Sequence, residues 1–196
     1  MVIIFKILLL LIVSELIIFF LIKILKKDFQ WIITNDDETP IFKEDVLENY
    51  YNGSYDSELG WLRPPNSSGF LKMRENSKIN YNIDEKGYRN LVNQYSTTKI
   101  ITFGDSYVFC ATDDKNTWQS CLGKKLNTNI LNYGVNNYGI DQALLRYKRI
   151  KKNTNCELVI LGFVPETICR IHSYWKHYLE FGNILAFKPM FEIKNN

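Results

Sequence analysis

The chain has 196 residues, 46% hydrophobic and 14% aromatic, which is about one domain's worth with enough apolar material for a core. Its formal net charge is only +3 and is spread along the sequence, so nothing in it points to nucleic acid as a partner. The four cysteines, Cys110, Cys121, Cys156 and Cys169, form no C-x-x-C pair and join no His/Cys cluster, which argues against a zinc site. A Cys110–Cys121 bridge stays open for an exported domain, but four scattered small hydrophobes is the preferred reading.

Residues 2–25 are almost all Ile, Leu, Val and Phe, interrupted by Lys6, Ser14, Glu15 and Lys23. About 20 predominantly apolar residues suffice to cross a bilayer as a helix. Glu15 near the middle costs roughly 2.5 to 3.5 kcal/mol on insertion scales, which the surrounding apolar side chains offset. A cleaved signal peptide is the alternative. It should end in small residues, whereas this run ends in Lys23-Ile24-Leu25-Lys26-Lys27. An uncleaved single-pass anchor over 1–27, with the lipid bilayer as its partner, is therefore expected. Its orientation stays open, because the lysines on the two sides differ too little for the positive-inside rule.

A polar, acidic stretch follows, with Asp36, Asp37, Glu38 and Pro40, read as a juxtamembrane linker over 28–50 that closes in a short helix around Lys43 to Tyr50. Residues 51–95 are rich in turn formers, among them Asn52-Gly53, Pro64-Pro65-Asn66 and Lys86-Gly87. Short strands around Gly60-Trp61-Leu62 and Lys78-Ile79-Asn80-Tyr81 are predicted between them, making a lead-in packed on the main domain. From 96 to 196 the pattern becomes α/β. Lys99 to Phe103 reads as a buried strand. Thr112-Asp113-Asp114 reads as a helix start, with helix from Thr117 to about Leu126. Asn129 to Asn132 is a second strand. Asp141 is expected to cap a helix running to about Lys152, with Leu144, Leu145, Tyr147 and Ile150 on its buried side. Glu157 to Gly162 is a third strand, with another helix starting near Thr167. Strands alternating with helices at this spacing imply a parallel sheet with helices on its faces. In such sheets the site lies beyond the carboxyl ends of the strands.

The loop after the first of these strands is Phe103-Gly104-Asp105-Ser106. A serine at a strand-to-helix turn presents its hydroxyl at the sheet edge, where helix N–H groups and the positive dipole end favour developing negative charge. No G-x-x-x-x-G-K-[ST] occurs, and Gly134 to Gly139 does not fit G-x-G-x-x-G, so nucleotide binding is disfavoured.

Ile101-Thr102-Phe103-Gly104-Asp105-Ser106-Tyr107 resembles the first signature block of the SGNH/GDSL hydrolases. Leu131 to Gln142 resembles their second block, and Leu158 to Phe163 the strand leading into the third. The lead-in Leu59 to Asn66, with Gly87-Tyr88-Arg89, is similar to the segment preceding the catalytic domain in some anchored members. The resemblance implies a flavodoxin-like three-layer α/β sandwich with a parallel sheet, preceded here by a transmembrane helix. It implies an ester hydrolase or O-acyltransferase acting on an acylated saccharide, a lipid ester or a similar ester, without cofactor or metal.

Residue by residue, Ser106 matches the nucleophile and Asp105 a residue that holds the turn. The oxyanion glycine falls at Asn137, flanked by Gly134 and Gly139. Glu166 stands near the third-block asparagine, a departure, since an ionised carboxylate cannot donate to an oxyanion. The family's Asp-x-x-His run has no match before the chain stops at Asn196. Of the two histidines, His172 and His177, neither follows an Asp by three residues, and both read as ordinary surface or partly buried residues. The resemblance therefore implies a domain cut partway, and a catalytically inactive or truncated SGNH-like binding module at a membrane surface stands as the alternative. Asp113, Asp114 and Asp141 read as helix caps.

Overall fold

The structure is a computed structural model that describes residues 2–25, 43–72, 77–165, 167, 170, 171, 188, 189 and 191. Helix α1 (Val2–Leu25) is continuous through Glu15, and Ser14 Oγ donates to the Leu11 carbonyl at 2.7 Å. Its residues Ile3–Leu25, with mean hydropathy 2.9, are long and apolar enough to cross a membrane, a test that a signal sequence near the amino terminus also passes. Helix α2 (Glu44–Gly53) places Glu44 and Asp45 in its first turn, where the helix dipole favours carboxylates, and it buries only Tyr50.

The lead-in contains two small antiparallel ladders. Strands β1 (Tyr55–Asp56) and β2 (Gly60–Trp61) pair through Tyr55 with Trp61 and Asp56 with Gly60. Strands β3 (Ser68–Lys72) and β4 (Lys78–Asn82) run in register from Ser68 opposite Asn82 to Lys72 opposite Lys78.

The α/β part is built on three parallel strands, β5 (Thr98–Gly104), β6 (Asn129–Asn132) and β7 (Leu158–Gly162), in the spatial order β6-β5-β7. β5 is central and buried from Ile100 to Gly104, as a strand paired on both edges should be. β7 pairs only with β5 among the described residues, and Leu158, Val159 and Leu161 stay exposed. After β5 comes a single turn, α3 (Ser106–Phe109). Helix α4 (Trp118–Leu126) is capped by Thr117, whose hydroxyl accepts from the Ser120 N–H, and it ends on Asn127 in the left-handed region at φ 51°. Helix α5 is Ile140–Lys151.

Three expectations are corrected here. Thr112-Asp113-Asp114 starts no α-helix. Asp114–Asn116 is a 3-10 turn, and the Asp114 carboxylate pairs with Arg89 at 2.7 Å instead of capping. Asp141 is not the cap of α5. Gly139 holds that position, and Asp141 is buried in the first turn against Lys188. The buried face of α5 is not the apolar one predicted, for Asp141, Gln142, Ala143 and Arg146 are buried while Leu144 is 41% exposed. The physical reason is that α5 covers loop carbonyls as well as sheet. Gln142 Nε2 donates to Leu59 O at 2.7 Å, and Arg146 donates to Tyr133 O at 2.8 Å and Gly87 O at 2.7 Å. Buried carbonyls need donors, so polar residues occupy that face. Tyr147 and Ile150 still pack, partly buried, on the core, and Leu145 on a second cluster.

The lead-in contributes to the core itself. Tyr88 and Leu91 pack on Ile101, Phe103, Leu131, Tyr133 and Ala143. Leu59 is buried with Val135 and Tyr138, and Tyr81 and Ile83 are buried with Phe109. Cys110, Cys121 and Cys156 are free thiols. The helix expected near Thr167 lies largely outside the described residues, as do Glu166, Cys169, His172 and His177.

Candidate active site around Ser106

β5 delivers its carboxyl end into the turn, and two close approaches shape it. Gly104 has φ 155°, and a Cβ there would stand 2.1 Å from the Gly162 carbonyl oxygen and 2.5 Å from Val108 Cγ2. Only glycine tolerates both the dihedral and the contact. Asp105 follows as the N-cap of α3. It is 1% exposed, and its Oδ1 accepts from the Tyr107 N–H at 2.9 Å. Its other oxygen, Oδ2, is buried with no hydrogen-bond partner among the described residues, 3.6 Å from Nη1 of Arg170. Ser106 is the first helical residue and is half-buried. Among the described residues, no side chain hydrogen-bonds its hydroxyl.

The far end of α3 is held by the lead-in. Cys110 ends the turn at φ 67°, an uncommon dihedral for a non-glycine residue. Arg89, 2% exposed, donates from Nη1 to Phe109 O at 2.8 Å and Cys110 O at 2.6 Å, and from Nη2 to Thr112 O at 2.7 Å. Its Nε meets Asp114 Oδ1 at 2.8 Å. One guanidinium thus satisfies the last carbonyl of this four-residue helix and two carbonyls just beyond it. From the other side, Gln119 Nε2 donates to Val108 O at 2.7 Å. Neither Arg89 nor Gln119 stood among the residues expected at the site. The only sequence signal for Arg89 was its place in the Gly87-Tyr88-Arg89 run.

The loop after β6 lies against this turn. Val135 N donates to Gly104 O at 3.0 Å. Gly134 meets the α3 backbone so closely that a Cβ would stand 2.3 Å from Phe109 N. The Gly134 N–H donates to Asn132 Oδ1 at 3.0 Å, and the Gly139 N–H donates to Gln142 Oε1 at 3.0 Å. Both glycine N–H groups are therefore engaged internally. Asn137 holds φ 64°, and no acceptor among the described residues takes its N–H or that of Ser106. Asn adopts that left-handed region with less penalty than most side chains.

The loop is fixed from the outside. Trp61 Nε1 donates to Asn136 O at 3.1 Å, and Tyr138 Oη donates to Trp61 O at 2.6 Å. Burial pushes the Tyr138 phenol up to about 12, with Arg146 pulling slightly the other way, so it stays a donor at ordinary pH. Arg170 donates to Tyr138 O at 2.9 Å. Among the described residues no group of three or more His, Cys, Asp or Glu could hold a metal ion. A broad cleft of about 710 Å³ lies on α2, lined by Glu44, Leu47, Tyr51 and Tyr55 among others, and it includes none of the candidate residues.

No family model matches the chain, and no curated protein matches it. Two solved structures, AlinE4, an SGNH-hydrolase family esterase, and a mutant of that esterase, are similar to it at 22% identity and a TM-score of 0.35. The similarity covers 47% of this chain and 53% of theirs, so the chain spans about half of their length.

Proposed function

We propose that the chain is a serine ester hydrolase or O-acyltransferase, acting on an acylated saccharide or similar ester through an acyl-Ser106 intermediate. The observation that carries this reading is the setting of Ser106. It is the first helical residue beyond the carboxyl end of a central parallel strand, half-buried, with its own N–H and that of Asn137 unclaimed among the described residues. Those N–H groups are donors of the kind that stabilise a tetrahedral oxyanion. In this reading residues 96–196 form an SGNH-like, flavodoxin-type α/β domain, 51–95 its lead-in, and 28–50 a linker to the anchor at 1–27. The bilayer is the natural solvent for α1, whose side chains are exposed, so the reaction would run at a membrane surface.

A serine hydroxyl is a weak nucleophile without a base. The imidazoles available in this sequence are His172 and His177. A second reading, a binding module that keeps the frame without turnover, is favoured by Asn137 and Glu166 standing where the family has glycine and asparagine. A fluorophosphonate probe separates the two. The full chain in detergent is expected to label, and Ser106→Ala to abolish the label. A folded wild-type chain that stays unlabelled refutes the hydrolase reading and leaves the binding module.

A further inference from the structure

We infer that Arg170 is a positioning residue for this site, tying the Asn137 loop to the Ser106 turn. The inference rests on the reading of Ser106 as the reacting group. Arg170 is 7% exposed, and its Nη1 reaches two different loops. It donates to the Tyr138 carbonyl at 2.9 Å, one residue beyond Asn137, and stands 3.6 Å from Asp105 Oδ2, one residue before Ser106. Asp105 thus faces the Tyr107 N–H with one oxygen and the guanidinium with the other. The Arg170 backbone is held in turn. Its carbonyl accepts from Lys188 Nζ at 2.6 Å, and the same ammonium pairs with Asp141 Oδ2 at 2.5 Å, in the first turn of α5. Two carboxylates and two cations, each side chain no more than 8% exposed, form a closed set of charges behind the turn. Burial pulls the Lys188 ammonium below the ordinary lysine range, and the bond to Asp141 opposes that.

The chemistry explains why an arginine suits the place. A planar guanidinium presents several donors in fixed directions, so one group can satisfy a carbonyl and neutralise a carboxylate at once. An ammonium on a flexible stem matches the charge without the geometry. Removing the cation altogether strands the Asp105 carboxylate in a buried setting, which is costly. The loop bearing Asn137 would then lose its tie to the turn bearing Ser106. The distance between nucleophile and oxyanion donor is what acyl transfer is sensitive to, and a displacement near 1 Å costs on the order of a hundredfold in rate.

The test uses the full chain in detergent, with fluorophosphonate labelling of Ser106 and amide hydrogen exchange read together. Arg170→Gln is expected to lower the limiting labelling rate by about ten- to a hundredfold, with the half-saturating probe concentration little changed. Exchange should rise at the hydrogen-bonded amides of Val135 and Tyr138, while Thr98–Gly104 and Asn129–Asn132 keep their protection. Should Arg170→Gln fail to fold, Arg170→Lys decides, because it keeps the charge opposite Asp105 and is still expected to label slowly with a loosened Asn137 loop. An Arg170→Lys chain that labels and exchanges like the wild type overturns the inference. So does an Arg170→Gln chain whose Asn137 loop stays as protected as before. If the wild type does not label at all, the hydrolase reading fails, and the exchange data alone decide whether Arg170 holds the two loops together.

Discussion

Replacing Gly104 by alanine tests the central packing claim, that β5 and β7 meet backbone to backbone just before Ser106. Gly104 lies opposite Gly162 in the parallel register. The added Cβ would stand 2.1 Å from Gly162 O, a backbone atom that cannot swing aside, and 2.5 Å from Val108 Cγ2. Overpacking of this kind costs about 1 to 3 kcal/mol. The φ of 155° adds strain, on the order of another 1 to 3 kcal/mol for a residue with a Cβ. The sum, roughly 2 to 6 kcal/mol, is a large share of the 5 to 15 kcal/mol that typically holds a domain folded. The control is Gly53→Ala at the end of α2, where a Cβ meets nothing within 4 Å. That change should be neutral, or stabilising by up to about 1 kcal/mol. Urea unfolding followed by tryptophan fluorescence, on the full chain in detergent, reads both. Gly104→Ala should shift the midpoint far down with the slope preserved, and slow labelling of Ser106. Equal midpoints for the two variants would refute the reasoning, because they would mean that β5 and β7 do not approach as described.

Asn137 offers a sharper test of the proposed oxyanion donor. At φ 64°, Asn137→Gly should leave stability and labelling near wild type, while Asn137→Val should lose about 1 to 2 kcal/mol and label more slowly; equal behaviour of the two would remove the left-handed dihedral from the account. The pair that joins α5 to the lead-in gives a pH prediction. Arg149 donates to both oxygens of Asp56, at 2.8 and 2.7 Å, and holds that carboxyl below its ordinary value of 3.8. The folded state therefore binds a proton at Asp56 less readily than the unfolded chain does. The stability this contributes is present above pH 3.8 and is lost as pH falls through that value towards the lowered one. The pair is partly exposed, so solvent screening limits the effect to about 1 kcal/mol or less. Arg149→Met should flatten the acid limb of the stability curve; an unchanged limb would show that Asp56 has no such partner in solution.

Much of the framework was legible from local signals. The apolar run of α1, the β-branched strand ending at Gly104, the strand at Asn129–Asn132, and the helix from Trp118 to Leu126 each rest on periodicity, length or a capping residue within a few positions. The same holds for the turn Gly104-Asp105-Ser106, whose tightness is written in its own residue types. What the tertiary structure decided was the placing of polar side chains. Arg89, Gln119, Gln142, Arg146 and Arg170 carry no sequence signal for burial, yet all are buried, and each donates to a backbone carbonyl outside its own element. Asp114 and Asp141, which look like caps, pair with cations 25 and 47 positions away. Hydropathy records how a residue partitions on its own. It is silent on which carbonyls the folded chain leaves without donors, and those are created only when β5, β6 and the lead-in come together.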